Sequence, residues 1–580
     1  MCGIVGFLEK RTVVDRNVLD AMVQTQLHRG PDDQGMCFFP LFSDCEDFAM
    51  GFDRLSILDV SLNGHQPMRN ENDSVYLTMN GEIINAFDYR SELESRGYEF
   101  HSTTDTEVVL HLYEEYGIDG MLDRINGMFA ICIADRNKKE LFLIRDRFGV
   151  KPLYYWENEN AFLYASEYKA FYAHPDFKNC LNLDVLAESL LFRHVSGKET
   201  LLRGVYNVLP AHYIKIDANG NQDDIEYWSL MDAESETHLS LKDYEHMIET
   251  AVQKRLISDV ALGVQLSGGV DSSLVLHYAR KKKEEQLKTF SIVFEAEQYT
   301  EKEWIDQAAA MNMTEQHQYT MTARDFSQLF ESATWHCDAP LNHPNSIGIY
   351  RLCEEAKKEV TVLMTGEGAD EVFGGYYRYS YALWDKRHPA LSRLLCRAIG
   401  YRAEEGDFED RCIKSTMFMS DMMLRKTTIG MSSEQALSRR RLLFEQTVGH
   451  DLEKQWLNYD LKTYLVDILN RQDKMSMAAS VETRVPFLDY KLVEAVRQQK
   501  VSSYVNGAIK GCAVYHTKKP LKILAANIYG KRFAYRKKSG FPIPLEEYFA
   551  DETFSNYVEG AVMPELEQSQ LFRMDEIWKL

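Results

Sequence analysis

Short apolar runs separated by turn residues dominate the first part of the chain, up to about residue 210. Four clear examples are residues 4–8, 75–77, 129–133 and 141–144. Runs of this length with turn residues between them are typical of β-strands. Two stretches with helical spacing, 18–28 and 106–116, accompany the runs. The pattern predicts an α+β unit whose sheets pack in layers.

From about residue 250 the pattern changes to an alternation of strands and helices. An apolar run ends at Leu266 and is followed by a glycine-containing turn. Helical stretches then follow at 274–283 and 303–311, and strand-like runs at 290–294 and 360–364. This alternation predicts a parallel sheet with crossover helices, and the remainder, about 380–580, is predicted to be mostly helical.

A polar stretch, residues 217–236, separates the two patterns and is the predicted linker. We therefore expect two units, residues 1–215 and 216–580. The length of 580 residues agrees with more than one domain at roughly 150 residues each.

Charge and cysteine content narrow the functional classes. The chain has 66 Lys+Arg and 88 Asp+Glu, a formal net charge of -22, which argues against nucleic acid as the main partner. No stretch approaches the roughly 18 apolar residues of a membrane span, so we expect no membrane partner. The ten cysteines form no CxxC pair. We expect neither a disulfide framework nor a zinc site, and a cytoplasmic location.

Cys2 is the first residue with a chemical role to consider. Removal of Met1 would place a thiol and a free α-amine on one residue, and an amine that titrates at about pH 8 can act as the base for that thiol. A glutamine pocket also needs a guanidinium for the α-carboxylate, carboxylates for the α-ammonium, and an oxyanion hole. The residues that can supply these groups are Arg54, Asn80, Gly81, Glu82 and Asp105.

With Arg29-Gly30-Pro31-Asp32 and residues 145–155, these positions resemble the class II glutamine amidotransferase domain over about 200 residues. The resemblance implies an Ntn-type layered sandwich in which Cys2 hydrolyses glutamine to glutamate and ammonia. Arg54, Asn80, Gly81, Glu82 and Asp105 would bind the glutamine. Ile84 departs from the family, which usually has Tyr there, but the neighbouring Asn-Gly-Glu is intact and we expect glutamine chemistry to survive.

A second motif, Ser267-Gly268-Gly269-Val270-Asp271-Ser272-Ser273, lies between an apolar run and a predicted helix. Glycines allow close approach of a ligand, and N–H groups at a helix N-terminus attract phosphate. The spacing is not that of a Walker A loop. The motif resembles the PP-loop of ATP pyrophosphatases, which cleave ATP between its α and β phosphates. The resemblance implies an ATP site formed by Leu266, Ser267, Gly268, Gly269, Asp271, Ser272, Val293 and Gly366.

Magnesium is expected with ATP, because a hard cation can neutralise the pyrophosphate leaving group. Asp271 and Asp370 are the candidate ligands. Helix capping is the alternative role for both carboxylates.

The Gly-rich stretch 365–376 carries three carboxylates, Glu367, Asp370 and Glu371. Such a cluster is costly unless the carboxylates meet cations or a protonated amine. Further on, residues 471–477 and 482–489 alternate charged and apolar positions, as amphipathic helices or buried ion pairs do.

Cys2, SGGVDSS at 267–273, GEGADEVFGGY at 366–376 and ETRVPFLD at 482–489 follow one another in an order that resembles the glutamine-dependent asparagine synthetase family. The resemblance extends over nearly the whole chain. It implies that ATP adenylates the side-chain carboxylate of aspartate and that ammonia from Cys2 displaces AMP, passing between the sites through a tunnel. Glu367 would take a proton as ammonia attacks. A homodimer is compatible with the resemblance.

A late lysine of the family stabilises charge on the phosphate. The spacing in residues 519–524 favours Lys522, with Lys519 second. Residues 536–545 resemble the tail of many bacterial family members, and a solvated basic loop is the alternative.

The acceptor is not fixed by these motifs, because it depends on a few pocket side chains. Aspartate is the leading interpretation, and the alternative keeps both half-reactions but amidates another carboxylate, on a sugar or a secondary metabolite. A β-lactam-forming relative is disfavoured by the retained Cys2. A PP-loop enzyme acting on tRNA is disfavoured by the net charge. A degenerate binding scaffold is disfavoured by the intact Cys2, Asp271 and Glu367.

Overall fold

The computed structural model describes residues 2–230, 238–294, 301–391, 394, 407–449, 451–509, 512–537 and 543–579. The first unit contains two six-stranded antiparallel sheets. Its strands are β1 (Cys2–Glu9), β2 (Asp33–Phe39), β3 (Phe48–Arg54), β4 (Met68–Arg69), β5 (Val75–Ile83), β6 (Gly127–Asp135), β7 (Glu140–Arg145), β8 (Tyr154–Glu157), β9 (Ala161–Ala165), β10 (Val205–Asn207), β11 (His212–Asp217) and β12 (Gln222–Glu226). Its helices are α1 (Arg16–Gln24), α2 (Phe87–Ser95), α3 (Asp105–Arg124) and α4 (Leu183–Phe192).

The two sheets pack face to face, with a helix on each outer face. One sheet has the order β10-β8-β9-β1-β3-β2 and the other β12-β11-β7-β6-β5-β4. Because side chains alternate along a strand, Ile4 and Leu8 of β1 pack between the sheets, whereas Val5 and Phe7 pack under α1. In the same way Ile131 of β6 packs under α3. The layered α+β sandwich predicted from the sequence is confirmed.

The four apolar runs predicted as strands lie in β1, β5, β6 and β7. The helix predicted at 18–28 begins earlier, at Arg16, and ends at Gln24. The helix predicted at 106–116 is α3, whose first turn is capped by the hydroxyl of Thr104. Side-chain caps of this kind fix the residue at which a helix begins. The spacing of apolar residues does not show them.

The linker predicted at residues 217–236 is wrong in its first part. Strand β12 lies inside it and pairs with β11, from Ile216 opposite Gln222 to His212 opposite Glu226. The sequence is polar there because β12 is an edge strand with exposed or half-buried side chains. Residues 231–236 lie outside the described part of the chain. The division at residue 215 stays a prediction, and we propose that the boundary follows Glu226.

The second unit is built on a parallel five-stranded sheet of order β15-β14-β13-β16-β17. Its strands are β13 (Leu262–Gln265), β14 (Lys288–Phe294), β15 (Glu315–Met321), β16 (Val362–Met364) and β17 (Glu482–Arg484). Helices of its first half are α5 (Leu241–Lys254), α6 (Val270–Lys282), α7 (Lys302–Met311), α8 (Ala323–Cys337), α9 (Asn345–Ala356), α10 (Ala369–Val372) and α11 (Tyr377–Arg387). Those of its second half are α12 (Phe408–Lys414), α13 (Asp421–Thr427), α14 (Ser433–Glu445), α15 (Leu452–Lys462), α16 (Tyr464–Met477), α17 (Tyr490–Arg497), α18 (Lys519–Tyr529), α19 (Lys531–Ala534), α20 (Leu545–Phe549), α21 (Glu552–Tyr557), α22 (Met563–Ser569) and α23 (Met574–Ile577).

The predicted alternation of strands and helices is confirmed in β14, β16, α6 and α7. Parallel strands need crossover connections, and α6 and α7 supply them between β13, β14 and β15. The remainder of the described chain is largely helical, as predicted. In such sheets ligands bind at the carboxyl ends of the strands, which is where the loops after β13 and β16 lie.

Candidate active sites

Cys2 is the first residue of β1 and is almost completely buried, at 7% exposure. Burial raises the pKa of its thiol, while the backbone N–H of Leu55 and the guanidinium of Arg54 act in the opposite direction. A thiol with a raised pKa is protonated at neutral pH, so attack on an amide requires a base beside it. The α-amine of Cys2 after removal of Met1 would be such a base. Met1 itself lies outside the described residues.

Asn80 and Gly81 belong to β5 and lie next to Cys2 of β1. The backbone N–H of Cys2 donates to Oδ1 of Asn80 at 3.0 Å. Nδ2 of Asn80 is buried and has no hydrogen-bond partner among the described residues, so it is available to an oxyanion. Gly81 has a φ of 153°, and a Cβ there would lie 2.1 Å from the carbonyl oxygen of Met128, so only glycine fits.

Four of the five predicted glutamine-binding residues, all except Asn80, line one cavity. Arg54 donates to the backbone carbonyl of Ser61 at 2.7 Å and so shapes the loop at the rim. Asp105 accepts from the N–H of Ile83 at 2.7 Å, and burial raises its pKa to about 6. The cavity is lined by Cys2, Arg54, Gly81, Glu82 and Asp105.

A carboxylate from the second unit, Glu482 of β17, also lines this cavity. Arg484 binds both Glu482, at 2.5 Å, and Glu82 of the first unit, and all three side chains are buried. Burial opposes ionisation of Glu482, but Arg484 outweighs it and lowers the pKa to about 2. Burial raises the pKa of Glu82 well above its usual value. Residues 482–489 thus form buried ion pairs, and the helical alternative for β17 is wrong.

We predict that Arg484→Met destabilises the protein strongly, by about 3–5 kcal/mol, because it leaves buried carboxylates without their cation. The measurement is the midpoint of urea unfolding followed by circular dichroism. Arg69→Met is the matched control, because Arg69 pairs with Asp73 at 3.0 Å on the surface, with exposures of 62% and 48%. We expect it to cost less than about 1 kcal/mol. Equal midpoints for the two variants would contradict the buried triad.

Helix α16 makes a second connection between the units. Asp473 on this helix accepts from Arg29 at 2.7 Å and from Lys151 at 3.3 Å. Arg29 in turn donates through Nε to the carbonyl oxygen of Cys2 at 3.1 Å. The backbone of the candidate nucleophile is therefore attached to α16 through one buried guanidinium.

His28, Glu167 and His336 form a cluster with the spacing of metal ligands. The carboxylate of Glu167 already binds Arg29, at 2.8 Å, and the ammonium of Lys169. Two cations on the same carboxylate make the cluster unfavourable for a third, so we assign no metal to it.

The loop after β13 holds the predicted ATP residues together. The hydroxyls of Ser267 and Ser272 are 3.1 Å apart, and the N–H of Gly269 reaches Oγ of Ser267 at 3.4 Å. Helix α6 begins at Val270, which directs its first N–H groups at the loop. A Cβ at Gly366 would lie 2.7 Å from the nitrogen of Ser272, so that backbone packs directly against the loop. Leu266 and Val293 are buried in one cluster beneath it, and Gly268 and Asp271 complete the set.

The two predicted magnesium ligands converge on one cation. Nζ of Lys518 lies 2.7 Å from Oδ2 of Asp271 and 2.7 Å from Oδ1 of Asp370. Lys518 was not predicted from the sequence. It sits at the N-cap of α18 with a left-handed φ of 48°, a local geometry that distinguishes it from the adjacent Lys519 and that residue spacing does not show.

The two lysines that were predicted lie differently. Lys522 lines the same cavity as Lys518, Asp271 and Asp370, and its Nζ donates to the carbonyl oxygen of Val514 at 2.5 Å. Lys519 is directed away, with Nζ donating to the carbonyl oxygen of Ser502 at 2.6 Å. A catalytic role for Lys522 stays a prediction.

The carboxylates after β16 have separate partners. Oε1 of Glu367 lies 3.5 Å from Arg471, and Asp370 binds Lys518, so both meet cations as expected. Glu371 instead accepts from the hydroxyl of Tyr376 at 2.5 Å. Burial and the neighbouring carboxylates raise the pKa of Glu371 to about 7.

Arg536 closes the far side of the PP-loop. Its guanidinium donates to the carbonyl oxygen of Gly268 and lies 4.6 Å from the ring centre of Trp304. Its side chain is only 12% exposed, so the solvated-loop alternative is wrong for this residue. Residues 538–542 of the same predicted tail lie outside the described residues.

None of the helices in the described ranges combines the length and the apolar character needed to cross a membrane. All nine described cysteines are free thiols.

Comparison with known proteins gives matches over both units. A family model described as asparagine synthase matches residues 243–580, and one described as glutamine amidotransferase domain matches residues 1–228. Asparagine synthetase [glutamine-hydrolyzing] 1 of Bacillus subtilis is 32% identical over 95% of this chain and 88% of its own length. Asparagine synthetase [glutamine-hydrolyzing] 3 of the same organism is 31% identical over 86% and 80%. Amidase chry2 of Gibberella zeae is 29% identical over 86% and 82%.

Proposed function

The chain belongs to the asparagine synthase family and is a glutamine-dependent ligase, and from this premise we propose that it converts aspartate to asparagine. ATP would adenylate the side-chain carboxylate, and ammonia released from glutamine at Cys2 would displace AMP. The products are asparagine, glutamate, AMP and pyrophosphate. The observation that carries this proposal is that α16 is attached to both sites, to Cys2 through Asp473 and Arg29, and to Glu367 through Arg471.

Each half-reaction has residues in position for it. In the first unit, the thiol of Cys2 attacks the glutamine amide and Nδ2 of Asn80 donates to the oxyanion. In the second unit, the N–H groups at the start of α6 bind the phosphates of ATP. Glu367, held by Arg471, accepts the proton that ammonia must lose before AMP departs.

Asp271 and Asp370 would hold a magnesium ion, because the two carboxylates share the ammonium of Lys518 and so keep a net negative charge, unlike Glu167 with its two cations. Oxygen ligands of this kind are what magnesium prefers in proteins. When bound with ATP, the ion would neutralise charge on the pyrophosphate leaving group. We also propose a cytoplasmic location, on the basis of the free cysteines.

A second candidate keeps both half-reactions but amidates a different carboxylate, on a sugar or a secondary metabolite. The similarity to a relative named an amidase rather than an asparagine synthetase supports it. A small change in pocket side chains is enough to change the acceptor without changing the motifs.

An acceptor screen tests the proposal. Pyrophosphate release is measured with glutamine, ATP and magnesium, with aspartate as the first acceptor and sugar acids and other carboxylates after it. We expect aspartate to stimulate pyrophosphate release. Stimulation by another carboxylate but not by aspartate would support the second candidate, and release that responds to no carboxylate would contradict both.

We predict that Lys518→Met lowers the rate of pyrophosphate release by about 10²-fold or more, since a positioned cation at a phosphate is worth that much. Glutamine hydrolysis is expected to continue, because Lys518 is not in the glutamine cavity. Lys522→Met is the matched variant and is expected to have the smaller effect. A larger loss in Lys522→Met would reverse the assignment of the two lysines.

A further inference from the structure

A large cavity lies between the two units, apart from the glutamine cavity and the PP-loop. It has a volume of about 140 Å³ and is formed by residues between 193 and 201, residues between 337 and 346, and one face of α16. We propose that this interface cavity binds the acceptor and selects a carboxylic acid with an adjacent hydrogen-bond donor, an ammonium or a hydroxyl group, which Nε2 of His194 accepts. The inference rests on the proposed function, because it names the substrate class of the same ligase.

One residue in the wall of the interface cavity contacts the proposed proton acceptor, Glu367. Arg471 of α16 is part of its wall, and Nη2 of Arg471 lies 3.5 Å from Oε1 of Glu367. Nη1 of Arg471 lies 3.3 Å from Oδ1 of Asn345, at the start of α9. Arg471 therefore connects the wall of the cavity to the edge of the parallel sheet where β16 ends, which is the edge at which ligands bind in such sheets.

Buried polar atoms in the wall lack partners. His194 and Ser196 are only 6% and 4% exposed, and both line the cavity. Nε2 of His194, Oγ of Ser196 and Nε of Arg471 have no hydrogen-bond partner among the described residues. Burying a polar atom without a partner costs free energy, so three such atoms around one cavity indicate a polar ligand.

The tautomer of His194 determines whether the ligand must donate or accept a hydrogen bond. Nδ1 of His194 lies 2.9 Å from the carbonyl oxygen of Phe192, and since a carbonyl can only accept, Nδ1 carries the proton. Burial, assisted by the cation of Arg440, lowers the pKa of His194 to about 4, so the ring is neutral at pH 7. Nε2 is therefore a lone-pair acceptor, and the ligand must place an N–H or O–H group against it.

Charged residues near His194 can bind the donor and the carboxylate of such a ligand. Oδ2 of Asp467 lies 3.7 Å from Nδ1 of His194 and 2.7 Å from Nε2 of His343. Arg471 follows Asp467 by four residues and so lies on the same face of α16. An acid with a donor on the carbon chain between its two carboxylates can thus meet His194 and Asp467 at the donor and Arg471 at the carboxylate that is to be amidated. Aspartate has an ammonium there, malate a hydroxyl, and succinate only hydrogen.

Those three acids are the probes for the test. Their binding to the full chain is measured by isothermal titration calorimetry, for the wild type and for His194→Phe, which keeps an aromatic ring but has no acceptor nitrogen. We expect the wild type to bind aspartate or malate at least about ten-fold more tightly than succinate, because a buried acceptor rejects an analogue without the donor. In His194→Phe the preference should disappear, with the affinity for succinate unchanged. A preference equal in both proteins, or no binding of any of the three acids, would overturn the inference.

Two further variants show whether a change in binding comes from loss of the acceptor nitrogen or from misfolding. His246→Phe, on the exposed side of α5, is the matched control and should bind like the wild type. Ser196→Ala makes the smallest change in the same wall, and we expect it to weaken aspartate or malate but not succinate. If His194→Phe is unfolded, the inference depends on Ser196→Ala. It fails if Ser196→Ala binds aspartate or malate, and also succinate, with the same affinities as the wild type. Glutamate release from glutamine shows that each variant is folded.

The outcomes separate this inference from the proposed function. A His194-dependent preference in binding, without aspartate-stimulated pyrophosphate release, would keep the interface cavity as an acid-binding site and reject aspartate as the acceptor. Aspartate-stimulated release with the same KM for aspartate in His194→Phe and in the wild type would keep the function and reject the cavity as its acceptor site.

Discussion

Replacing Cys2 with alanine is expected to abolish product formation from glutamine and to leave product formation from ammonium salts. The thiol of Cys2 lies in the glutamine cavity of the first unit, whereas the ATP loop belongs to the second unit. Loss of a catalytic nucleophile should reduce glutamate release by about 10³-fold or more. The measurement is glutamate release from glutamine, together with pyrophosphate release when ammonium chloride replaces glutamine.

Cys37→Ala is the matched control, since Cys37 is a free, half-buried cysteine of the same unit. We expect it to keep both activities. Loss of both activities in Cys2→Ala would show that Cys2 supports the fold of the chain rather than attacking glutamine. An active protein whose intact mass includes Met1 would contradict the role of the Cys2 α-amine as base.

The second large effect is expected for Asp271→Asn, which keeps the shape of the side chain and removes its charge. Asp271 binds Lys518 beside the PP-loop and is one of the two proposed magnesium ligands. Losing that charge should lower pyrophosphate release by about 10²–10³-fold, the size of effect seen when one electrostatic group is removed from an active site. Glutamine hydrolysis should persist, because Asp271 does not line the glutamine cavity.

Asp306→Asn is the matched control for that variant. Asp306 is a half-buried carboxylate of α7 that pairs with Lys302 at 2.8 Å and accepts hydrogen bonds from Gln316 and Gln318 of β15 rather than from the loop. Its neutralisation should leave both half-reactions unchanged. Unchanged pyrophosphate release in Asp271→Asn would refute the assignment of the loop to ATP.

The fold was predictable where both faces of an element are buried. Strands such as β1 and β6 are apolar on both faces because they lie inside a four-layer sandwich, so their sequences are distinctive. Strand β12 was missed because an edge strand with exposed side chains reads like a linker. Its pairing depends on backbone hydrogen bonds to β11, which the side chains do not encode.

The sequence indicates candidate site residues where they lie in one contiguous motif, as in Ser267–Ser273. It does not show which residues from a distant part of the chain contact them. Glu82 and Arg484 are separated by 402 residues, and Arg29 and Asp473 by 444. A sequence shows that such charged residues need partners, but only the fold shows which partners they have.

We propose that ammonia from glutamine becomes the amide of a carboxylate activated by ATP in the same chain. The most direct measurement supplies glutamine labelled with heavy nitrogen at its side-chain amide, together with ATP, magnesium and aspartate, and follows the products by mass spectrometry. We predict asparagine that carries the label, with one pyrophosphate released for each asparagine formed. Glutamate and free labelled ammonia with no labelled amide, from aspartate or from any acceptor in the screen, would contradict the claim.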